Sequence, residues 1–271
     1  MANAIPIALT IAGSDSGGGA GIQADLKAFS AAGAYGASVI TAITAQNTVA
    51  VTAVHEVPAD VVRAQLDAVL SDLSVGAIKI GMLFSPAIIE AVAAGLADFK
   101  GPVVLDPVMI AKSGDALLQD AAVQSMVSAL IPRADLLTPN LPEAAKLLGL
   151  DHAKTLEEME HQGRALLAMG PKAVLMKGGH AAGDTCTDML VTPEGTSTLE
   201  ARRIDTINTH GTGCTYSSSI AARLASEMAM EDAVRAAHRY LQGAIVASDQ
   251  LKIGAGHGPV HHFHQLWAAH D

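Results

Sequence analysis

Short, unbroken aliphatic runs recur along this chain, each followed by a stretch with helical spacing, and that alternation leaves few folds open to it. Ile7 to Ala12 precedes Ile22 to Ala32, Ser38 to Ala45 precedes Ala59 to Leu73, and Ala77 to Met82 precedes Pro86 to Phe99. Val103 to Leu105 leads to Ala121 to Leu130, and Asp135 to Thr138 leads to helices over Leu141 to Leu148 and Leu156 to Met169, before a last run over Ala173 to Met176. Runs without polar alternation are what strands covered on both faces look like, and repeated strand-helix order imposes right-handed crossovers on a mostly parallel sheet. The expectation is a three-layer α/β/α fold. One interruption, Thr185 to Ile204, carries two strand-like segments around Pro193-Glu194-Gly195 and predicts a β-hairpin near the C-terminal third. Helices over Thr212 to Met228 and Met230 to Ser248 follow, the second with Glu231 and Asp232 in its first turn, where the helix dipole favours them.

With 271 residues and no internal repeat, low-complexity segment or linker, the chain reads as a single domain over 1–271. A hydrophobic content of 50% excludes disorder but raises the question of membrane insertion. The sharpest case is Ala28 to Val54, which carries no charged side chain and exceeds the roughly 20 residues that span a bilayer. Gly33, Gly36, Gln46 and Asn47 interrupt it, so it is read as a helix end, a strand over Ser38 to Thr44 and a polar loop. No basic and apolar leader opens the chain, and Cys186 and Cys214 are too few for a disulfide framework, so a cytoplasmic location is expected. A net charge of -10, from 17 basic and 27 acidic residues, argues against nucleic acid and membrane surfaces as partners. Phosphate ligands stay open, because amides at helix N-termini hold them without basic side chains.

Ligands of an open parallel sheet collect at the carboxyl ends of its strands. Here the first strand runs into a glycine-rich segment, Gly13 to Gly21, the second into Gln46-Asn47 and the third into Gly81-Met82. The fourth meets Asp106-Pro107, the fifth Pro139-Asn140-Leu141-Pro142-Glu143, and the sixth Lys177-Gly178-Gly179-His180. The sharpest local signal is Asn208-Thr209-His210-Gly211-Thr212-Gly213-Cys214 at the start of an apolar helix. Two glycines one residue apart let amides turn toward a common point at the positive end of a helix, forming an anion hole suited to a phosphoryl group in transfer. Cys214 in the first turn would feel the same field, which favours the thiolate and a role as base toward a substrate hydroxyl, unless it is a small buried residue.

Asn140 and Glu143 admit two readings: hard oxygen ligands for Mg²⁺, with Asp106 adding a second carboxylate, or a helix N-cap with its capping-box acid. Lys177 at a strand end either neutralises a phosphate or snorkels out of the sheet. Gly19-Ala-Gly21-Ile-Gln-Ala24 matches a dinucleotide pattern but lacks the ribose-binding acid about 20 residues on, which disfavours a dinucleotide-dependent oxidoreductase. No P-loop pattern and no zinc spacing occur. His257, His261, His262 and His264 suggest either a metal site or a surface tail packing against the domain.

Taken together, Gly-Ser-Asp-Ser-Gly-Gly-Gly-Ala-Gly-Ile-Gln-Ala-Asp, Lys-Ile-Gly-Met-Leu, Leu-Asp-Pro-Val-Met, Ala-Lys-Ser-Gly-Asp, Thr-Pro-Asn-Leu-Pro-Glu, Met-Lys-Gly-Gly-His, Thr-His-Gly-Thr-Gly-Cys and Gly-Pro-Val-His-His-Phe resemble the hydroxymethylpyrimidine/phosphomethylpyrimidine kinases of thiamine biosynthesis, in the ribokinase-like superfamily. The match runs in order from about Ile5 to His264. The resemblance implies a ribokinase-like fold, a homodimer, and transfer of the ATP γ-phosphoryl with Mg²⁺, first to 4-amino-5-hydroxymethyl-2-methylpyrimidine and then to its monophosphate. It implies Gly211, Thr212 and Gly213 as the anion hole with Cys214 as base, where the wider superfamily usually has Asp. Asp106, Asn140 and Glu143 would form the Mg-phosphate site, Lys177 and Thr209 the nucleotide contacts, and Gly13, Asp25, Gln46, Met82 and Val108 the pyrimidine pocket. Gln46 has a logic of its own, since one primary amide complements an amino donor beside a ring-nitrogen acceptor. Met82 can pack its thioether on a ring face or serve as core. A pyridoxal or pyridoxine kinase is the runner-up, because that ring also bears a hydroxymethyl group, and a non-catalytic ligand-binding protein is the reading from another class.

Overall fold

A computed structural model describes residues 5–109, 120–179 and 183–267. The Ala-Lys-Ser-Gly-Asp motif and His180 lie outside the described residues. The strands are β1 (Ile7–Asp15), β2 (Tyr35–Gln46), β3 (Val51–Glu56), β4 (Ala77–Ile80), β5 (Val103–Leu105), β6 (Leu136–Leu137), β7 (Val174–Met176), β8 (Thr185–Thr192) and β9 (Gly195–Arg202). The helices are α1 (Gly21–Ala31), α2 (Ala59–Asp72), α3 (Pro86–Gly95), α4 (Asp120–Ala129), α5 (Leu141–Leu148), α6 (Leu156–Leu167), α7 (Thr212–Ala225) and α8 (Met230–Val246). One sheet runs β3-β2-β1-β4-β5-β6-β7-β8-β9. Pairing is parallel from β2 through β7, with antiparallel hairpins at both edges.

Side chains alternate across each strand, so neighbouring residues feed different layers. Leu9, Ile11, Ile78, Ile80, Val103, Leu105, Val174 and Met176 pack against α2 to α6. Ala8, Ala77, Val104, Leu136, Ala173 and Leu175 face α1, α7 and α8. This is the expected three-layer arrangement, and it explains why the strand runs are apolar without alternation. The same parity carries polar groups inward, because Thr10 and Lys79 share the α1/α7 side with Ala8 and Ala77 and are fully buried there.

The predicted C-terminal hairpin forms as β8 and β9, with Thr192 opposite Gly195 and Pro193-Glu194 as its turn. The polar loop expected after β2 is in part a strand, since Val51–Glu56 pairs antiparallel with β2. Its residues Thr52 to His55 are all exposed, so no inward-facing periodicity marks it in the sequence. Helix α7 stops at Ala225 rather than Met228, where Glu227 takes a left-handed φ of 60°. Among the described residues no helix is long and apolar enough to cross a membrane, and Ala28 to Val54 divides among the end of α1, β2 and the first part of β3. The histidine-rich tail packs against the domain: His257 is exposed and His264 half-buried, but His261 and His262 are buried, and His262 Nε2 lies 2.9 Å from Thr215 Oγ1.

Candidate active site

The carboxyl ends of the parallel strands open into one cavity of about 1190 Å³. Its walls bring together Gly13, Gln46, Met82, Asp106, Val108, Asn140, Glu143, Lys177, Thr209, Gly211, Thr212, Gly213 and Cys214. Of the residues expected at the site, all but Asp25 line it.

One wall is the N-terminus of α7. Gly211 caps the helix with φ 78°, and a Cβ there would overlap the carbonyl oxygen of Gly19, so both conformation and close approach require glycine. Thr215 N donates to Gly211 O at 2.8 Å and Thr212 N to Thr209 O at 3.3 Å. The Gly213 and Cys214 amides fall in the first turn, where helix geometry supplies no acceptor, and the dipole adds a positive field toward the cavity.

Beside this amide cradle stands a charged pair. Lys177 Nζ donates to Asp106 Oδ1 at 2.7 Å, Thr138 Oγ1 donates to the same oxygen at 3.1 Å, and Ser217 Oγ donates to Oδ2 at 3.2 Å. The Lys177 side chain is 13% exposed, so it is held in the site and does not snorkel out of the sheet. Burial pushes Asp106 up, but Lys177 and Lys79 outweigh it and hold the carboxyl below its ordinary range. Burial likewise opposes the Lys177 charge, and Asp106 and Glu143 overcome that effect. A Cβ on Gly213 would stand 3.4 Å from Lys177 Nζ and 3.5 Å from Asp106 Oδ2, so the pair and the amide cradle share one small space.

Asn140 and Glu143 form a complete capping box at α5, with Glu143 N donating to Asn140 Oδ1 and Asn140 N donating to Glu143 Oε2, both at 2.8 Å. The capping reading therefore holds in the ligand-free protein. Burial, with Asp106 adding to it against Lys177, pushes the Glu143 carboxyl up to about 7. Among the described residues no group of three or more His, Cys, Asp or Glu converges to hold a metal, and the histidine tail forms no such group.

At the opposite end, Gln46 closes β2, with its Oε1 3.0 Å from Thr44 Oγ1 and its Nε2 3.4 Å from His210 Nε2. Met82 and Val108 line the same cavity, and Thr41 Oγ1 donates to Met82 O at 2.7 Å.

Two expectations need correction. Asp25 is not in the cavity wall: it is fully buried, its oxygens engaged by Thr10 Oγ1 at 2.6 Å, Ser218 Oγ at 2.5 Å and Lys79 Nζ at 2.8 and 2.9 Å. Its apolar helix context hides that partnership from the sequence. Cys214 is half-buried and is not a ready thiolate, since burial pushes its thiol up to about 11. Asp25 and Asp106 push the same way, against Lys79 and the Gly21 amide.

The profile of the phosphomethylpyrimidine kinase family matches residues 15–261, which include every charged group of the cavity described above. The chain belongs to the phosphomethylpyrimidine kinase family. The hydroxymethylpyrimidine/phosphomethylpyrimidine kinase of Rhizobium meliloti (strain 1021) is 56% identical over 96% of this chain and 98% of its own. That of Escherichia coli (strain K12) is 54% identical over the same shares of the two chains. The structure of pyridoxal kinase from Staphylococcus aureus in complex with AMP-PCP and pyridoxal superposes with a TM-score of 0.89 at 32% identity, over 97% of this chain and 96% of that one. The fold is thus ribokinase-like, as the motifs implied.

In this family member, three site residues escape sequence reasoning. Lys79 lines the cavity floor from the middle of β4, and Asp15 and His210 meet at the Gln46 end, with Nε2 2.9 Å from Asp15 Oδ2. Lys79 had a signal, a lysine inside an apolar strand run, which requires a buried carboxylate partner. Asp15 and His210 lie 195 residues apart, and nothing local pairs them.

Proposed function

We propose that this chain transfers the γ-phosphoryl of ATP to 4-amino-5-hydroxymethyl-2-methylpyrimidine and then to the monophosphate so formed, both steps in the one cavity. The observation that carries this reading is the amide cradle at the α7 N-terminus, set between a donor-acceptor amide, Gln46, and the Asp106-Lys177 pair. The pyrimidine occupies the Gln46 end, flanked by Met82, Val108 and Gly13. The nucleotide phosphates occupy the other end, near Thr209, Lys177 and Asn140.

A phosphoryl group in transfer carries charge on its equatorial oxygens, and the cradle amides, fixed by Gly211, Thr212 and Gly213, stabilise that charge without reorganising. Lys177, kept charged by Asp106, adds a point charge. Two hard carboxylates, Asp106 and Glu143, with space between Asp106 and the cradle, fit Mg²⁺, which takes few protein ligands and completes its shell from water and phosphate. Bound there, the ion neutralises phosphate charge. Cys214 meets the substrate hydroxyl as a thiol and orients its oxygen toward the phosphorus. In the loose transition state the O–P bond forms as the bond to the ADP oxygen breaks, the hydroxyl proton passing late to an oxygen of the transferred phosphoryl group. In the second step the acceptor is a phosphate oxygen that is already ionised near neutral pH, so no base is needed.

The chain acts as one kinase domain over 1–271, in the cytoplasm and as a homodimer. A second reading, a pyridoxal or pyridoxine kinase, draws on the structural likeness to the Staphylococcus aureus enzyme. Comparing kcat/KM for the two rings decides between them, with the pyrimidine preferred. Higher kcat/KM for pyridoxal overturns the reading, and no pyrimidine-dependent ATP turnover at all restores the non-catalytic binding protein.

A further inference from the structure

Asp15 and His210 form a second built feature of the cavity, apart from the phosphate chemistry. Asp15 closes β1 and accepts from three amides of the turn that follows, Gly17 N at 2.8 Å, Gly19 N at 3.0 Å and Ala20 N at 2.9 Å. Its Oδ2 also meets His210 Nε2 at 2.9 Å. Burial pushes the Asp15 carboxyl up, and the bonds from His210, Ala20 and Gly17 outweigh it, so the group stays an acceptor. The His210 backbone is tied on its other side, its N donating to Gly258 O at 3.0 Å and its O accepting from Val260 N at 3.3 Å. A Cβ on Gly19 would overlap the imidazole edge, so the ring has no room to swing toward that turn.

An acceptor carboxylate fixes the hydrogen on Nε2, because that nitrogen has to donate to it. In the structure Gln46 Nε2 faces His210 Nε2 at 3.4 Å and Oε1 faces Thr44 Oγ1 at 3.0 Å. Two donors would repel across the first contact, so hydrogen bonding requires the amide turned over, with its carbonyl oxygen toward His210. Amide oxygen and nitrogen have nearly the same shape, so hydrogen bonding decides their places. The nitrogen accordingly turns to Thr44 Oγ1, whose own hydrogen goes to Ser14 O at 3.0 Å. Every group in the chain Asp15, His210, Gln46, Thr44, Ser14 then has a complementary partner.

We propose, on the basis of the kinase reading above, that Asp15 and His210 are positioning residues for substrate specificity. They lock the Gln46 amide in the orientation that presents one acceptor and one donor to an aminopyrimidine edge. In pyridoxal the equivalent ring edge carries a hydroxyl and an aldehyde, and the aldehyde oxygen would face the locked amide oxygen. The lock thus favours the aminopyrimidine and disfavours the pyridoxal ring.

The test compares wild type, His210→Leu and His210→Gln, the last keeping an amide donor for Asp15 and Gln46. Affinity for the pyrimidine is read by calorimetry without ATP, and KM for ATP is read separately. His210→Leu should weaken pyrimidine binding about tenfold or more, the size expected when a polar reader loses its partner, and shrink the pyrimidine-to-pyridoxal kcat/KM ratio. KM for ATP should hold, and His210→Gln should restore most of the loss. In a Gln46→Ala background, His210→Leu should add nothing to the binding loss. Equal losses for both rings, loss in kcat alone, or full additivity with Gln46→Ala would each overturn the proposal. A wild type that neither binds nor turns over the pyrimidine would instead sink the kinase reading on which it rests.

Discussion

Lys79 Nζ lies 2.8 and 2.9 Å from the two carboxylate oxygens of Asp25, and neither side chain has any exposed surface. The pair joins β4 to α1, and the Ser218 hydroxyl on Asp25 joins both to α7 one turn beyond Cys214. Burial opposes the Lys79 charge, and Asp25, Cys214 and Asp106 together raise its ammonium above the ordinary lysine range. Removing one partner leaves an uncompensated charge in the floor of the site. Asp25→Leu or Lys79→Met alone should cost about 3–5 kcal/mol, and the double variant should cost less than the two singles combined. Urea denaturation of the three proteins checks this, and singles that cost under about 1 kcal/mol would refute it.

Gly211 is required twice, by its left-handed backbone and by the carbonyl of Gly19. Gly211→Ala should lose about 1–3 kcal/mol of stability from the backbone alone. It should also lower kcat by about 10²-fold or more by moving the cradle amides. Steady-state kinetics on folded variant protein separates the two effects, and unchanged kcat would mean that the cradle does not hold the transferred group.

Cys214 should behave as a buried thiol. In a Cys186→Ser background, its alkylation by iodoacetamide should be slow at neutral pH and keep rising toward pH 11, the value to which burial pushes it. Cys214→Ala should lower the first phosphorylation by about 10²-fold and the second much less, since a phosphate acceptor needs no help to ionise. Equal losses in both steps would assign the residue a structural role.

Glu143 sets a pH dependence of known sign. Its carboxyl rises from 4.5 to about 7 on folding, so the folded protein keeps that proton longer than the unfolded chain does. Its contribution to stability therefore falls as pH rises from 4.5 to about 7. A hard cation needs the ionised form, so the Mg²⁺ concentration for half-maximal turnover should be higher at pH 6 than at pH 8. Glu143→Gln should flatten that difference, and a pH-independent Mg²⁺ requirement in wild type would exclude Glu143 as a ligand.

Much of the architecture was legible because strands covered on both faces write themselves as apolar runs, and the groups at their carboxyl ends fall on one rim by topology. Residues that act through the backbone, such as Gly211 and Gly213, were equally plain, since the glycine spacing carries the geometry. Legibility failed where function depends on distant pairing. Asp25 reads as a polar residue near a binding loop until Lys79 and Ser218 are seen to close around it. The thiol of Cys214 looked ready to ionise because the sequence displays the helix field but not the desolvation that opposes it. Strand β3 was missed because an edge strand with both faces in water has no inward periodicity to show.

The central claim is that one cavity carries out two successive phosphoryl transfers to a hydroxymethylpyrimidine. A mass-resolved time course with ATP, Mg²⁺ and 4-amino-5-hydroxymethyl-2-methylpyrimidine tests it most directly. The account predicts a monophosphate that rises and then declines as the diphosphate accumulates, with two ADP formed per diphosphate. No phosphorylated pyrimidine, or a monophosphate that is never carried further, would contradict it.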